Sequence, residues 1–176
     1  MFKNARFVAG IALALILGVL CGWWLASRGA EEGETTKNSY DAAPDFTLQD
    51  YEGNEVTLTS FSGMVRIVNL WASWCPFCVD ELSEFARIAE HYEGLVEVFA
   101  VNRAEPPSIA RAFSDAIEGS EHIHFVLDPE DSYFAQIGGF AMPETLFIDR
   151  EGNIRLHKRG PMQFEEIEAA LKPLLQ

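Results

Sequence analysis

Three cysteines occur in 176 residues, and two of them stand three positions apart in the stretch Trp71-Ala-Ser-Trp-Cys-Pro-Phe-Cys-Val-Asp-Glu81. Such a pair can shuttle electrons by opening and closing a disulfide, supply half of a metal site, or staple the chain. A staple here would close a very short loop and constrain little of the unfolded state. A zinc site needs two further ligands. The nearest paired candidates, His122 and His124, are spaced i, i+2 on what reads as a strand, so they share a face. Nothing in the sequence brings them to Cys75, and they read as an exposed pair on a strand edge. Exchange chemistry needs a thiolate as the attacking species. Pro76 suits the first turn of a helix, where its missing N–H costs nothing. The free N–H groups and positive dipole end of that helix favour an ionised sulfur at Cys75. Cys75 is therefore the expected exposed nucleophile, at the N-cap or first turn. Cys78, one turn deeper and shielded, is the expected resolving thiol.

The elements that position this pair are a strand before it and a helix after it. Val65-Arg-Ile-Val-Asn-Leu-Trp71 reads as a buried strand, and Pro76 to about His91 as a helix, because Phe77, Leu82, Phe85, Ile88 and Ala89 fall near a 3.6-residue period. Upstream, Phe46-Thr-Leu and Glu55-Val-Thr-Leu-Thr flank a turn and predict a hairpin. Downstream, Leu95–Val101 predicts a second core strand, Pro107–Ile117 a helix, His122–Leu127 a short strand and Asp128–Gly138 a helix. A second hairpin follows, with Thr145–Ile148 and Ile154–His157 around Asp149-Arg-Glu-Gly-Asn153, and Phe164–Leu175 closes the chain as an amphipathic helix. Strands alternating with helices, then a terminal hairpin and helix, predict an α/β class with a mixed sheet covered on both faces.

Ahead of this domain the composition changes. Phe7–Ser27 is 21 residues without a charge, long enough to span a bilayer. Lys3 and Arg6 precede it, and the acidic run Glu31, Glu32 and Glu34 lies beyond. The basic side is expected in the cytoplasm, so the domain is expected outside it. The expected organisation is a cytoplasmic N-terminus over 1–6, a transmembrane signal-anchor over 7–27, a flexible linker over 28–43 and the folded domain over 44–176. A removed signal peptide is the alternative for the apolar segment. Cys21 within it reads as a passive membrane residue. The net charge of −14 argues against nucleic acid as a partner, since phosphate binding needs a basic surface.

Trp-Ala-Ser-Trp-Cys-Pro-Phe-Cys after the strand Val65–Trp71 resembles the thioredoxin superfamily. Ala43-Pro-Asp-Phe-Thr-Leu48 looks like the opening of its redoxin branch and of peroxiredoxins. Ala141-Met-Pro-Glu-Thr-Leu-Phe-Ile-Asp149 with Gly152 looks like the cis-proline and hairpin segment of extracytoplasmic TlpA/ResA/CcmG-type proteins. The resemblance covers roughly Pro44 to Leu171. It implies a thioredoxin-like fold with an N-terminal β-hairpin and a central αβ insertion near Pro106–Leu127. It also implies a thiol–disulfide oxidoreductase whose redox group is the Cys75–Cys78 disulfide, with no dissociable cofactor and no metal. Cys75, Cys78 and Glu81 take catalytic positions, Glu81 as a carboxylate with a raised pKa that exchanges protons with Cys78. Trp74, Met142 and Pro143 take substrate-binding positions, and Pro143 that of the cis-proline. Trp71 could line the site or be plain core. Asp80 reads as structural. The implied partners are client protein thiols and disulfides, such as apocytochrome c cysteines, and a membrane electron donor.

The chain departs from the pattern at Ser83, where many relatives carry a helix-kinking proline. Asn69 stands where cytoplasmic thioredoxins carry a buried aspartate, which makes Glu81 the better proton partner. The spacer Pro76-Phe77 leaves reductant against disulfide-donating oxidant open. A thiol peroxidase would place a threonine three residues before its reactive cysteine, and that position is Ala72. A copper chaperone on the same fold would separate its cysteines by three residues rather than two.

Overall fold

The computed structural model describes residues 41–176. The expected cytoplasmic N-terminus, anchor and most of the linker, with Cys21, lie outside the described residues. Among the described residues no helix is long and apolar enough to cross a membrane. Residues 41–43, read from the sequence as the end of the linker, already belong to the fold. Ala42 bridges to Asn153, Ala43 N–H donates to the carbonyl of Gly152 at 2.9 Å, and Ile154 N–H donates to that of Asp41 at 3.0 Å.

Among the described residues, seven strands form one sheet. They are β1 (Thr47–Gln49), β2 (Glu55–Thr57), β3 (Val65–Trp71), β4 (Val96–Arg103), β5 (His124–Asp128), β6 (Glu144–Ile148) and β7 (Ile154–Arg159), in the order β2-β1-β5-β4-β3-β6-β7. Among the described residues four α-helices accompany the strands: α1 (Cys78–His91), α2 (Pro107–Ser114), α3 (Ser132–Gln136) and α4 (Phe164–Leu171). The β3–β4 and β4–β5 pairs are parallel; the two hairpins β1–β2 and β6–β7, and the β3–β6 and β1–β5 pairs, are antiparallel. This is the mixed α/β, thioredoxin-like arrangement that the sequence predicts.

β3 is the hub, with all seven residues buried. Its period of two sends alternate side chains to opposite faces. Val65, Ile67 and Trp71 join a core with Leu82, Phe85 and Ile88 of α1 and Ile167 and Leu171 of α4. Val68 and Leu70 join the other core with Phe46, Leu58, Phe99 and Tyr133. Asn69 shares the parity of Ile67 and Trp71, so its amide faces α1. Arg66 shares the parity of Val68 and is also buried, its Nη2 donating to the carbonyl of Asp149 at 3.1 Å.

Both hairpin turns use the same device. Asp50 Oδ1 accepts from Asn54 N–H, and Asp149 Oδ1 from Asn153 N–H, each at 2.8 Å. The intervening Gly53 and Gly152 take φ of 85° and 94°, which L-residues rarely adopt. Several elements are shorter than predicted, among them the closing helix, which ends at Leu171 rather than Leu175. Leu58 and Thr59 leave β2 for a 3₁₀ turn, α2 ends at Ser114, and the helix expected over 128–138 is confined to Ser132–Gln136. In the last case Asp128 ends β5 and spends its carboxylate on the N–H groups of Ser132 (3.0 Å) and Tyr133 (2.8 Å). The expected strand over 122–127 begins only at His124, and His122 sits in a 3₁₀ turn. The two histidines therefore do not share a strand face, and β5 lies inside the sheet rather than at its edge.

Candidate active site around the cysteine pair

After Trp71 the chain turns twice before α1 begins. Cys75 N–H donates to the carbonyl of Ala72 at 3.1 Å, and Cys78 N–H to that of Cys75 at 3.2 Å. These are tight three-residue turns rather than helical bonds, so Pro76 opens a turn and Phe77 occupies the N-cap. The sequence places Cys75 at the N-cap or first turn; the structure puts it ahead of the helix and makes Cys78 the first helical residue. The two are joined as a disulfide with Cα atoms 5.5 Å apart. Cys78 is fully buried, as expected. Cys75 is 2% exposed rather than open to solvent, and belongs to the same core cluster as Cys78. The flanking side chains are what solvent meets: Trp74 is 63% and Phe77 58% exposed.

The register brings a second wall to the same end of the sheet. Leu70 pairs with Glu144 in the antiparallel β3–β6 ladder, so Pro143 lies beside the end of β3 from which the cysteine loop departs. The Met142–Pro143 peptide is cis. Pro143 is buried, and Met142 is half-buried against the core cluster that contains both cysteines.

Glu144 holds this wall, and the sequence reading assigned it no role. Its Oε1 accepts from the N–H groups of Phe140 and Ala141, both at 2.7 Å, and its Oε2 from His157 Nε2 at 2.6 Å. Burial would raise its pKa, but these donors outweigh burial and hold it below the ordinary value. A carboxylate opening the apolar run Thr145-Leu-Phe-Ile148 was the available signal, since a buried charge must be paired. Phe140, 76% exposed with the Arg159 guanidinium 4.6 Å from its ring centre, is a further missed residue on this rim. Within the same loop, a Cβ on Gly139 would meet Phe134 ring carbons at 2.3–2.7 Å. That ring lies under the Arg103 guanidinium, 3.3 Å from its centre, and cannot swing away freely. Gly139→Ala is therefore expected to destabilise the protein by about 1–3 kcal/mol, as overpacking does; a urea midpoint unchanged from the parent would contradict this.

Glu81 is fully buried on α1, one turn after Cys78 and on its face. Its Oε2 accepts from Asn69 Nδ2 at 2.7 Å and its Oε1 from Met162 N–H at 3.0 Å. Asn69 Nδ2 also donates to Thr145 Oγ1 at 2.9 Å. Desolvation dominates the carboxyl and pushes its pKa up to about 8, against the pull of the two hydrogen bonds and Lys158. Asp80 is exposed. Ser83 Oγ donates back to the carbonyl of Val79 at 3.1 Å. Trp71 is core, fully buried and stacked on Phe113 with ring centres 5.2 Å apart. His124 is engaged by Glu97 at 2.7 Å. Among the described residues no group of three or more His, Cys, Asp or Glu side chains is placed to hold a metal ion.

The sequence profile of the Redoxin family matches residues 38–171. The chain is 31% identical to the thiol:disulfide interchange protein DsbE of Allochromatium vinosum, over 98% of this chain and 93% of that protein. It is 29% identical to the thiol-disulfide oxidoreductase ResA of Geobacillus thermodenitrificans, over 99% of each. Among solved structures, a provisionally named thiol:disulfide interchange protein DsbE from Chlorobium tepidum superposes with a TM-score of 0.72 at 27% identity, covering 77% of this chain and 96% of that one.

Proposed function

Because the chain belongs to the Redoxin family and is a thiol–disulfide oxidoreductase of the DsbE/ResA type, with the Cys75–Cys78 pair as its redox group, we propose that it reduces client protein disulfides outside the cytoplasm while tethered to the membrane by Phe7–Ser27. The observation that carries this reading is the cysteine pair flanked in the chain by the exposed Trp74 and Phe77 and lying at the end of β3 beside the Met142–Pro143 wall. An extended client segment lies along Met142 and Pro143 and covers Trp74.

In the forward direction the Cys75 thiolate attacks one sulfur of the client disulfide. The client S–S bond breaks, a mixed disulfide forms through Cys75, and the departing client sulfur takes up a proton. The Cys78 thiol gives its proton to the Glu81 carboxylate and attacks the Cys75 sulfur. The second client thiol leaves, two electrons have passed to the client, and the enzyme holds the Cys75–Cys78 disulfide. A membrane electron donor must then reduce that disulfide before the next turnover. Glu81, with a pKa near 8, can both take and return a proton close to neutral pH.

Apocytochrome c cysteines are the clients that the resemblance implies, so the test uses a Cys-x-x-Cys-His peptide closed as a disulfide. The reduced full chain in detergent is expected to open it stoichiometrically, with the peptide dithiol accumulating on chromatography. If instead the oxidised chain closes the peptide dithiol to completion, the protein is a disulfide donor and the reductant reading falls.

A further inference from the structure

The cysteine loop is gripped from a direction that the mechanism above does not use. β4 runs beside β3 to its end, with Trp71 opposite Asn102, and then leaves through Ala104 and Glu105. Glu105 turns back across the end of the sheet. Its Oε2 accepts from Ser73 N–H at 2.7 Å and from Asn102 Nδ2 at 2.7 Å, and its Oε1 accepts from the Ser73 hydroxyl. Ser73 lies inside the Ala72–Cys75 turn. Ala104 reaches this position with φ of 52°, a left-handed conformation that costs an L-residue energy and persists only where surrounding contacts enforce it. Its N–H donates to the carbonyl of Asp128 at 3.0 Å, at the end of the neighbouring strand β5.

We propose that Glu105 is a positioning residue, holding the approach to Cys75 in its reactive geometry while the disulfide is open. The inference rests on Cys75 being the attacking sulfur. When the disulfide is closed, the covalent bond itself fixes the loop. When it is open, the loop keeps the Cys75-to-Ala72 and Cys78-to-Cys75 backbone bonds, and the side chain that grips it ahead of Cys75 is Glu105, through Ser73. A carboxylate is well suited to the clamp. Its two oxygens take three donors at once, bonds stronger than their neutral counterparts. Those donors also overcome burial and keep its pKa below the ordinary value, so it stays ionised. The clamp should therefore matter for attack by the reduced enzyme more than for the stability of the oxidised one.

The test compares Glu105→Ala with Glu105→Gln in the full chain in detergent. Glutamine can keep every contact: its carbonyl accepts from Ser73 N–H and Asn102 Nδ2, and its amide donates to the Ser73 hydroxyl. The reduced proteins are alkylated with iodoacetamide, and Cys75 is resolved from Cys21 and Cys78 by peptide mass spectrometry. Glu105→Ala is expected to slow alkylation of Cys75 and its attack on a disulfide peptide about tenfold, within the range that small misplacements cost. Glu105→Gln is expected to stay within about threefold of the parent, as a rescued geometry would. Melting of the reduced form should fall more than melting of the oxidised form in Glu105→Ala. Parent-like rates in Glu105→Ala would overturn the proposal. So would equal losses in the two variants, or equal loss of melting temperature in both redox forms. If the parent chain is alkylated at Cys78 in preference to Cys75, the attacking role of Cys75 falls first and the positioning role with it.

Discussion

Cys75→Ser is expected to abolish disulfide exchange, whereas Cys78→Ser is expected to convert the enzyme into a trap. A serine hydroxyl is un-ionised near neutral pH and cannot replace a thiolate, so the first variant should lose more than about a thousandfold in rate, as loss of a nucleophile does. The second variant keeps the attacking sulfur but cannot resolve the mixed disulfide. Position rather than burial supports this division, since both sulfurs are buried in the disulfide form. Cys78 is the first residue of α1, whereas Cys75 precedes the helix, between the exposed Trp74 and the turn at Pro76. The division of roles therefore places Cys75 on the side that a client approaches. Non-reducing electrophoresis should show covalent client adducts with Cys78→Ser that dithiothreitol releases. Adducts with Cys75→Ser and none with Cys78→Ser would reverse the roles.

The second large effect is a pH dependence of stability that originates in Glu81. Its folded pKa of about 8 lies above the ordinary 4.5 because burial penalises the carboxylate. Between these values the folded chain holds a proton that the unfolded chain has released. The contribution of Glu81 to stability is therefore full below about pH 4.5, falls as pH rises, and is lost above about 8. The gap corresponds to about 5 kcal/mol, taken as an upper bound. The groups facing this carboxyl are Asn69 from β3, Met162 N–H ahead of α4, Lys158 from β7 and Glu166 from α4, the last opposing ionisation. Glu81→Gln removes the titration while retaining an acceptor. Relative to the parent it is expected to be of similar stability near pH 5 and a few kcal/mol more stable near pH 8.5. Urea unfolding of the oxidised proteins at several pH values measures the difference; a difference that does not change with pH would mean that Glu81 ionises normally. The same variant should resolve mixed disulfides more slowly, since Cys78 loses its proton acceptor.

What the sequence made legible has a common physical character. β3 was bounded correctly because a run buried on both faces has no polar interruption except Arg66 and Asn69, whose Nη2 and Nδ2 groups donate to Asp149 and Glu81. Both hairpins were visible because their turns carry the same Asp-x-x-Gly-Asn chemistry. The cysteine pair stood out by its spacing, and the family resemblance pointed to the cis peptide at Pro143 and to Glu81 on the face of Cys78. What was missed depends on partners far apart in the chain. Glu105 meets Ser73 across 32 residues, and no period or motif links them. Glu144 answers to His157 and to two backbone N–H groups whose loop path only the tertiary fold determines. The delayed start of α1 is a local miss: proline fits a turn as readily as a first helical turn. The separation of His122 from His124 has the same kind of origin, since Gly119 at φ 79° leads into a 3₁₀ turn that absorbs His122.

The central claim is that Cys75 and Cys78 form a reversible couple that donates electrons to clients. Its most direct test is the reduction potential of the pair, measured on the full chain in detergent equilibrated in graded thiol–disulfide buffers. The account predicts one two-electron transition, changing tenfold per about 30 mV, absent in Cys75→Ser, and lying at or below the value of about −270 mV for thioredoxin. A midpoint near about −120 mV, in the range of a strong oxidant, would contradict the reductant assignment. The absence of any reversible transition would contradict the oxidoreductase account itself.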